Sequence, residues 1–352
     1  MTWRRGASLT LVALLVGFSA LACQATRPAE IGMLLHYRGD DAATIARQFD
    51  LMADMGVRWV RFDIEWSLIQ SEPGTFDWTS TDTIVDEARA HGMNPLAVLA
   101  FTPGWAVTAQ GLAESDARHA RPDQLSDYAT FARIAAERYA PRGVRSWEIW
   151  NEPNLGLFWP PRPDADEYAT LFRAAATAIR NVDPNATLVT GGLSPRYPEP
   201  DVGVSPLDYL QQLYENGTAQ LADAIAVHPY SFPVLPDDEN EETIGEFKDL
   251  PALHEVMERN GDGAKKLWIT EFGAPTGNGP NAVSEDDQAL ALLQARQQVE
   301  KWDWVGPLIY YELVDGGSDR SVDGENFGVL RHDLDPKPAA VALMQAASGD
   351  QE

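Results

Sequence analysis

Two short apolar runs, far apart in the chain, each carry a glutamate at their end. The first is Ser146-Trp-Glu-Ile-Trp-Asn-Glu-Pro-Asn154, where Asn151 and Glu152 stand directly before Pro153. Proline cannot donate to a sheet ladder, so a strand entering this motif must stop there. The second is Leu267-Trp-Ile-Thr-Glu-Phe-Gly273, in which Glu271 precedes a turn. Two carboxyl groups in different environments can rest in opposite protonation states, one a proton donor and the other an anion. Held about 5 Å apart, such a pair can cleave a glycosidic bond with retention. One carboxyl protonates the leaving oxygen, and the other attacks the anomeric carbon to form a covalent intermediate. Two buried glutamates in structural ion pairs are the alternative that the residues alone leave open.

Bringing the two together requires strands whose carboxyl ends converge. Apolar, β-branched runs at 31–37, 59–66, 94–101, 146–152, 186–192, 224–230, 266–272 and 306–313 read as strands. Helical patterns fill the gaps at 41–55, 79–91, 125–140, 164–182, 206–216, 248–260, 285–302 and 338–347. In the fourth of these, Tyr168, Leu171, Phe172, Ala175 and Ile179 form one apolar stripe. Ser284 followed by Asp287 resembles a capping box, and Gly56 and Gly92 close the first two helices. Eight strands each followed by a helix predict an α/β fold, a single-domain (β/α)8 TIM barrel over 31–352. No Gly-x-Gly-x-x-Gly follows the first strand, as a doubly wound nucleotide fold would favour. In a barrel, strands four and seven lie on opposite sides of the mouth, where Glu152 and Glu271 would face each other. The acidic loop over 233–246 is expected at the rim.

The chain has 352 residues, 44% of them hydrophobic, which is enough for a large core. With 27 Lys and Arg against 53 Asp and Glu, the formal charge of −26 disfavours nucleic acid and anionic membranes as partners. Cys23 is the single cysteine, so no intrachain disulfide can form. It ends a run in which Arg4 and Arg5 precede an apolar stretch over 11–21 and then Ala20-Leu21-Ala22-Cys23. A basic start, a short apolar core and small residues at the cut read as an export signal over 1–22. Its ending resembles a lipobox, with Cys23 lipidated and 23–30 a linker. The expectation is an exported monomer, secreted or held in the cell envelope, touching membrane only through that lipid.

Trp150-Asn151-Glu152-Pro153 resembles the acid/base motif of clan A glycoside hydrolases, and Thr270-Glu271-Phe272-Gly273 resembles their nucleophile motif. Glu72-Pro-Gly-Thr-Phe-Asp-Trp78 and Asn326-Phe-Gly-Val-Leu-Arg-His-Asp333 extend the similarity over nearly all of 31–345. Within the clan the chain is most similar to family 39 and to family-5-like cellulase proteins. The resemblance implies Glu152 as acid/base, Glu271 as nucleophile and Asn151 as donor to the sugar 2-hydroxyl. It places Arg61 beside the nucleophile, Tyr230 in a hydrogen bond to it, and His228 on the same wall. It implies a retaining hydrolase of β-linked polysaccharide or oligosaccharide, expected to be endo-acting, with exo-acting β-xylosidase chemistry the alternative. A silent glycan-binding barrel and a transglycosylase are the remaining rivals. Clan members often carry tryptophan on strand eight, whereas this chain has Leu308-Ile-Tyr-Tyr-Glu312.

Sugars pack their C–H faces on aromatic rings, so Trp66, Trp105, Trp159, Tyr310 and Tyr311 are candidate platforms. His36 and Glu312 are candidates to touch sugar hydroxyls. Asp315 either contacts substrate or braces the rim, and Glu148 reads as structural. The six histidines are scattered, and no His-Glu-x-x-His, Walker loop or Gly-x-Ser-x-Gly elbow occurs. Neither metal nor organic cofactor is therefore expected.

Overall fold

The computed structural model describes residues 28–37, 39–108, 117–195, 203–238 and 245–349. The proposed leader over 1–22, Cys23 and most of the 23–30 linker lie outside the described residues, as does part of the 233–246 loop.

Eight parallel strands close into a barrel in chain order. They are β1 (Ile31–Leu34), β2 (Trp59–Glu65), β3 (Asn94–Ala100), β4 (Ser146–Ile149), β5 (Thr187–Thr190), β6 (Ala224–Val227), β7 (Lys266–Phe272) and β8 (Val305–Tyr310). Each is followed by a helix: α1 (Ala42–Asp54), α2 (Thr79–Ala90), α3 (Leu125–Tyr139), α4 (Ala165–Val182), α5 (Pro206–Glu215), α6 (Leu250–Arg259), α7 (Glu285–Val299) and α8 (Pro338–Gly349). The sequence places the eight strands and the eight helices that follow them, but not the short helices at Trp66–Ile69 and Thr218–Leu221. It overextends β1, β4, β5, β6 and β8 at their carboxyl ends, because there the apolar run continues after the chain has left the ladder to build the mouth.

Local rules account for the helices. The α4 stripe of Tyr168, Leu171, Phe172, Ala175 and Ile179 is fully buried against the barrel. Asp164 caps α4 by accepting from the Asp166 and Glu167 amides, and Ser284 caps α7 by accepting from the Asp287 amide. Gly56 and Gly92 follow α1 and α2 at φ +73° and +65°, conformations that cost glycine little.

Inside the barrel, Leu34, Leu96, Val189, Ala224, Ala226, Trp268 and Ile309 form an apolar plug. Trp59 and Trp268 meet edge to face, 5.1 Å apart. A Cβ on Gly32 would lie 2.9 Å from the Trp59 Cβ, and one on Gly306 would lie 2.5 Å from the Trp268 ring, so small residues make room for large ones. The larger apolar layer fills the space between barrel and helices, with Phe62, Trp147, Tyr128 and Tyr310 among its members. Above the plug the interior turns polar, and the site begins.

Candidate active site

The period of two along β2 turns Arg61, Asp63 and Glu65 to the face that opens into a cleft at the barrel mouth. β4 stops at Ile149. Beyond it, Trp150 (φ +73°) and Glu152 (φ +44°) take left-handed backbone, which curls Asn151 and Glu152 over the mouth. In β7 a register shift against β8 falls between Ile269 and Phe272. A bulge of this kind breaks the alternation of faces. It lets consecutive residues both reach the interior: Thr270 bonds Glu148 and His228 below the cleft, while Glu271 lines the cleft itself.

Glu152, His228 and Glu271 converge, each contributing an atom within 4.8 Å of the others. His228 Nδ1 lies 2.8 Å from Glu152 Oε1 and 3.5 Å from Glu271 Oε2. Arg61 is fully buried beneath them. It donates to Glu271 Oε1 at 2.5 Å, to both Glu148 oxygens at 2.8 and 3.1 Å, and to Asn151 Oδ1 at 2.9 Å. With its oxygen taken by Arg61, Asn151 is left with Nδ2 as the group available to a ligand hydroxyl. Tyr230 Oη donates to Glu271 Oε2 at 2.7 Å.

These contacts set the electrostatics. Burial works to raise the Glu271 pKa, but His228, Arg61 and the Tyr230 hydroxyl together overcome it and hold the carboxyl below its usual range. Burial likewise works to lower the His228 pKa, and the neighbouring Glu271 and Glu152 reverse it, so His228 is more basic than usual. Arg61 is raised despite burial by Glu148 and Glu271. The Tyr230 hydroxyl is pushed far up, first by burial and then by Glu271, and stays a donor. Glu152, His228 and Glu271 are residue types that also serve metal sites. Here their inner atoms are engaged by Arg61, Tyr230 and one another.

His36 stands at the cleft edge, with Nδ1 2.9 Å from Glu312 Oε2 and Nε2 3.6 Å from Asp63 Oδ2. Glu312 itself is buried below His36. Tyr311 lines the cleft. The tryptophans do not. Trp66 is completely buried, stacked on Phe131 at 5.5 Å, with its N–H given to Gln70. Trp105 packs edge to face on Trp66 and donates to the Gln70 carbonyl. Trp159 is buried between Trp150 and Tyr168. Tyr310 points away from the barrel axis and donates to the Leu292 carbonyl of α7. Trp66, Trp159 and Tyr310 are core residues and Trp105 is half-buried against the core, all four with their polar atoms satisfied outside the cleft, which corrects their reading as platforms. Asp315 is buried against Lys337, 2.7 Å away, and braces the rim.

The aromatic surface comes from Tyr311, the one candidate platform that lines the cleft, from Tyr230, and from Phe101, His119, Phe158, Phe232 and Phe327, which the sequence reading passed over. Tyr230, Phe232, Tyr311 and Phe327 pack edge to face along one wall, with ring separations of 5.1–6.1 Å. Phe101, His119 and Phe158 form the opposite wall, with the Arg118 guanidinium 4.6 Å above the Phe101 ring. The signal was present for Phe101, which directly follows β3, a position that lines a barrel mouth. The cleft between the walls has a volume of about 690 Å³ and is open to solvent.

The family model for cellulase (glycosyl hydrolase family 5) matches residues 24–306. A β-xylosidase of Geobacillus stearothermophilus is 31% identical over 130 residues, which are 33% of this chain and 24% of that protein. Among solved structures, a family 39 glycoside hydrolase from the gut symbiont Bacteroides cellulosilyticus WH2 superposes with a TM-score of 0.73 at 21% identity, over 92% of this chain and 64% of that one. A family 39 β-xylosidase from Caulobacter crescentus gives 0.70 at 20% identity, over 92% and 72%. At these identities the structures speak for the fold, which they share with this chain. The chain thus spans about two thirds of the length of the first, and its matched stretch about a quarter of the curated β-xylosidase.

Proposed function

This chain belongs to the cellulase family, glycosyl hydrolase family 5, and from that membership we propose that it is a retaining glycosidase of β-linked glycans. The observation that carries the reading is the approach of Glu152 and Glu271 within 4.8 Å at the floor of an open cleft. That separation suits a carboxyl pair that works by double displacement. Glu271, kept anionic by Arg61 and Tyr230, is the nucleophile. Glu152 gives its proton to the glycosidic oxygen as the C–O bond breaks and the glycosyl ester on Glu271 forms. Water then gives a proton to Glu152, its oxygen bonds the anomeric carbon, and the ester breaks. Asn151 Nδ2 is placed to donate to a sugar hydroxyl, and the two aromatic walls to pack against ring C–H faces.

An open cleft with aromatic walls on both sides favours endo action on a polysaccharide. The local similarity to a β-xylosidase favours a second reading, exo action on xylosides, and product lengths from a β-linked xylan separate the two. We further propose export through the leader, with Cys23 as the lipid attachment point. The central test is trapping. A 2-deoxy-2-fluoro β-glycoside should leave a covalent adduct, found by peptide mass on Glu271, while Glu271→Gln should lose turnover by at least ~10³-fold with its circular dichroism unchanged. Near-normal turnover in Glu271→Gln refutes the assignment.

A further inference from the structure

Below the catalytic floor the two glutamates are joined by a continuous chain of hydrogen bonds. On one side, Glu271 pairs with Arg61, and Arg61 pairs with Glu148. On the other, Glu152 meets His228 Nδ1 at 2.8 Å, and His228 Nε2 meets Thr270 Oγ1 at 3.0 Å. Thr270 Oγ1 in turn donates to Glu148 Oε1 at 3.2 Å, which joins the two sides into one chain. Glu148 and Thr270 are completely buried and reach no substrate. Glu148 also accepts from the Gly192 amide at 3.1 Å. The His228 ring lies so close to Gly192 that a Cβ there would sit 2.0 Å from Nε2, so only glycine leaves room for the imidazole on that side.

The hydroxyl of Thr270 has one hydrogen. Given to the Glu148 carboxylate, an acceptor only, it leaves the oxygen able to accept from His228 Nε2. Nε2 must then carry a hydrogen whatever the state of the rest of the ring. A neutral His228 therefore turns a bare Nδ1 lone pair toward Glu152 Oε1, and the 2.8 Å contact is a hydrogen bond only if one proton lies between them. We propose that Glu148, acting through Thr270, fixes His228 in the Nε2–H form, so that Glu152 and His228 hold a single shared proton that Glu152 spends and regains in each catalytic cycle.

The inference rests on Glu152 being the acid/base, and it explains how one carboxyl can serve both half-reactions. Before cleavage the pair holds its proton, on Glu152 or on His228, and delivers it through Glu152 to the leaving oxygen. Once it has gone, the Glu152 carboxylate faces an imidazole lone pair at the same short distance. That repulsion favours recovery of a proton, which the attacking water supplies. The charged groups facing His228 are Glu152 and Glu271 across Nδ1, Glu148 at 3.9 Å from Nε2, and Arg61; Tyr230 lies with its ring 6.4 Å away. Glu148 and Thr270 are thus positioning residues, since they act through His228.

The test is nitrogen-15 NMR of the full chain labelled at histidine, with the His228 signals identified by their loss in His228→Asn. Wild type should show Nε2 protonated across the neutral range. Thr270→Val should lose that preference and Thr270→Ser should restore it. A neutral wild-type ring protonated on Nδ1, or a tautomer unchanged in Thr270→Val, overturns the proposal. Kinetics on the same variants should split by leaving group. In Thr270→Val, cleavage of the unactivated β-linked oligosaccharide that wild type turns over should fall by about 10²-fold, while the 2,4-dinitrophenyl β-glycoside of the same sugar, whose leaving group needs no acid, stays within about fivefold. Equal losses on both overturn the proposal. Glu152→Ala is the control for the underlying reading: if it too hits both substrates alike, the acid/base assignment has failed, whatever tautomer His228 shows.

Discussion

Replacing Tyr230 by Phe removes one hydroxyl from the nucleophile and keeps the ring in the aromatic wall. The hydroxyl donates to Glu271 Oε2 at 2.7 Å, a short bond to a charged acceptor. Hydrogen bonds to charged groups contribute about 1.5–3 kcal/mol. At about 1.4 kcal/mol per pKa unit, full loss would raise the Glu271 pKa by about one to two units. Arg61 and His228 remain as partners, so the lower figure, about one unit, is expected. The sign follows from the chemistry. Glu271 must be an anion to attack, so activity is present above its pKa and lost as pH falls through it. Raising the pKa makes that loss begin at higher pH. The assay is kcat/KM against pH on an aryl glycoside, whose acid limb reports the free enzyme. The limb should move up by about one unit while the plateau changes less than about tenfold. An unmoved limb, or one displaced to lower pH, would refute the role given to Tyr230 and the electrostatic account of Glu271.

Other expectations follow from the same structure. Asp82 of α2 is gripped by Arg138 and Arg142 and by Tyr139; burial works to raise its pKa, but these partners bring it to about 2. Its stabilisation is therefore present above the unfolded value of 3.8 and lost as pH falls toward 2. The cluster is largely solvent-screened, so Asp82→Asn should cost only about 1 kcal/mol at pH 7, read as a lower Tm, and the gap from wild type should close in acid. Trp66→Ala should cost about 3–5 kcal/mol in denaturant unfolding, whereas Phe327→Ala, at the cleft wall, should raise KM more than it lowers Tm. If Trp66→Ala instead raises KM in a normally stable protein, the placement of that indole in the core is wrong. For the export reading, Cys23→Ser expressed in a bacterial host should abolish fatty-acid labelling of the chain and release it from membranes; equal labelling of both proteins would refute Cys23 as the attachment point.

The barrel and the two glutamates were legible because strong local signals mark them. Pro153 ends a strand, Ser284 caps a helix, and the α4 stripe repeats at helical spacing. Arg61, Tyr230 and His228 sit where the resemblance implied, and their geometry adds the partners. The tryptophans were not legible, since an indole that packs under a helix and one that faces a cleft have the same neighbours in sequence. Tyr310 and Tyr311 differ only by strand parity, and parity at a strand end depends on where the ladder stops. Phe158 and Phe327 come from loops, whose course no periodicity announces. The consecutive inward placement of Thr270 and Glu271 depends on a register shift that sequence does not encode in any simple pattern. Glu148 read as structural, and its burial agrees, but its partners reach both Glu152 and Glu271.

Three side-chain-bearing residues at the ends of β3 and β4, Phe101, Trp150 and Glu152, hold left-handed backbone at φ +67°, +73° and +44°. Each such residue is held against a local preference of roughly 1–2 kcal/mol. For protein engineering, this marks a boundary on the scaffold. Glycine would relieve the backbone, but at the buried Phe101 and Trp150 it would also empty the space of an aromatic side chain, a loss of about 3–5 kcal/mol that outweighs the relief, and at Glu152 it would remove the carboxyl itself. A stabilisation campaign on this barrel is better directed to its helices and lower rim, leaving these three positions as they are.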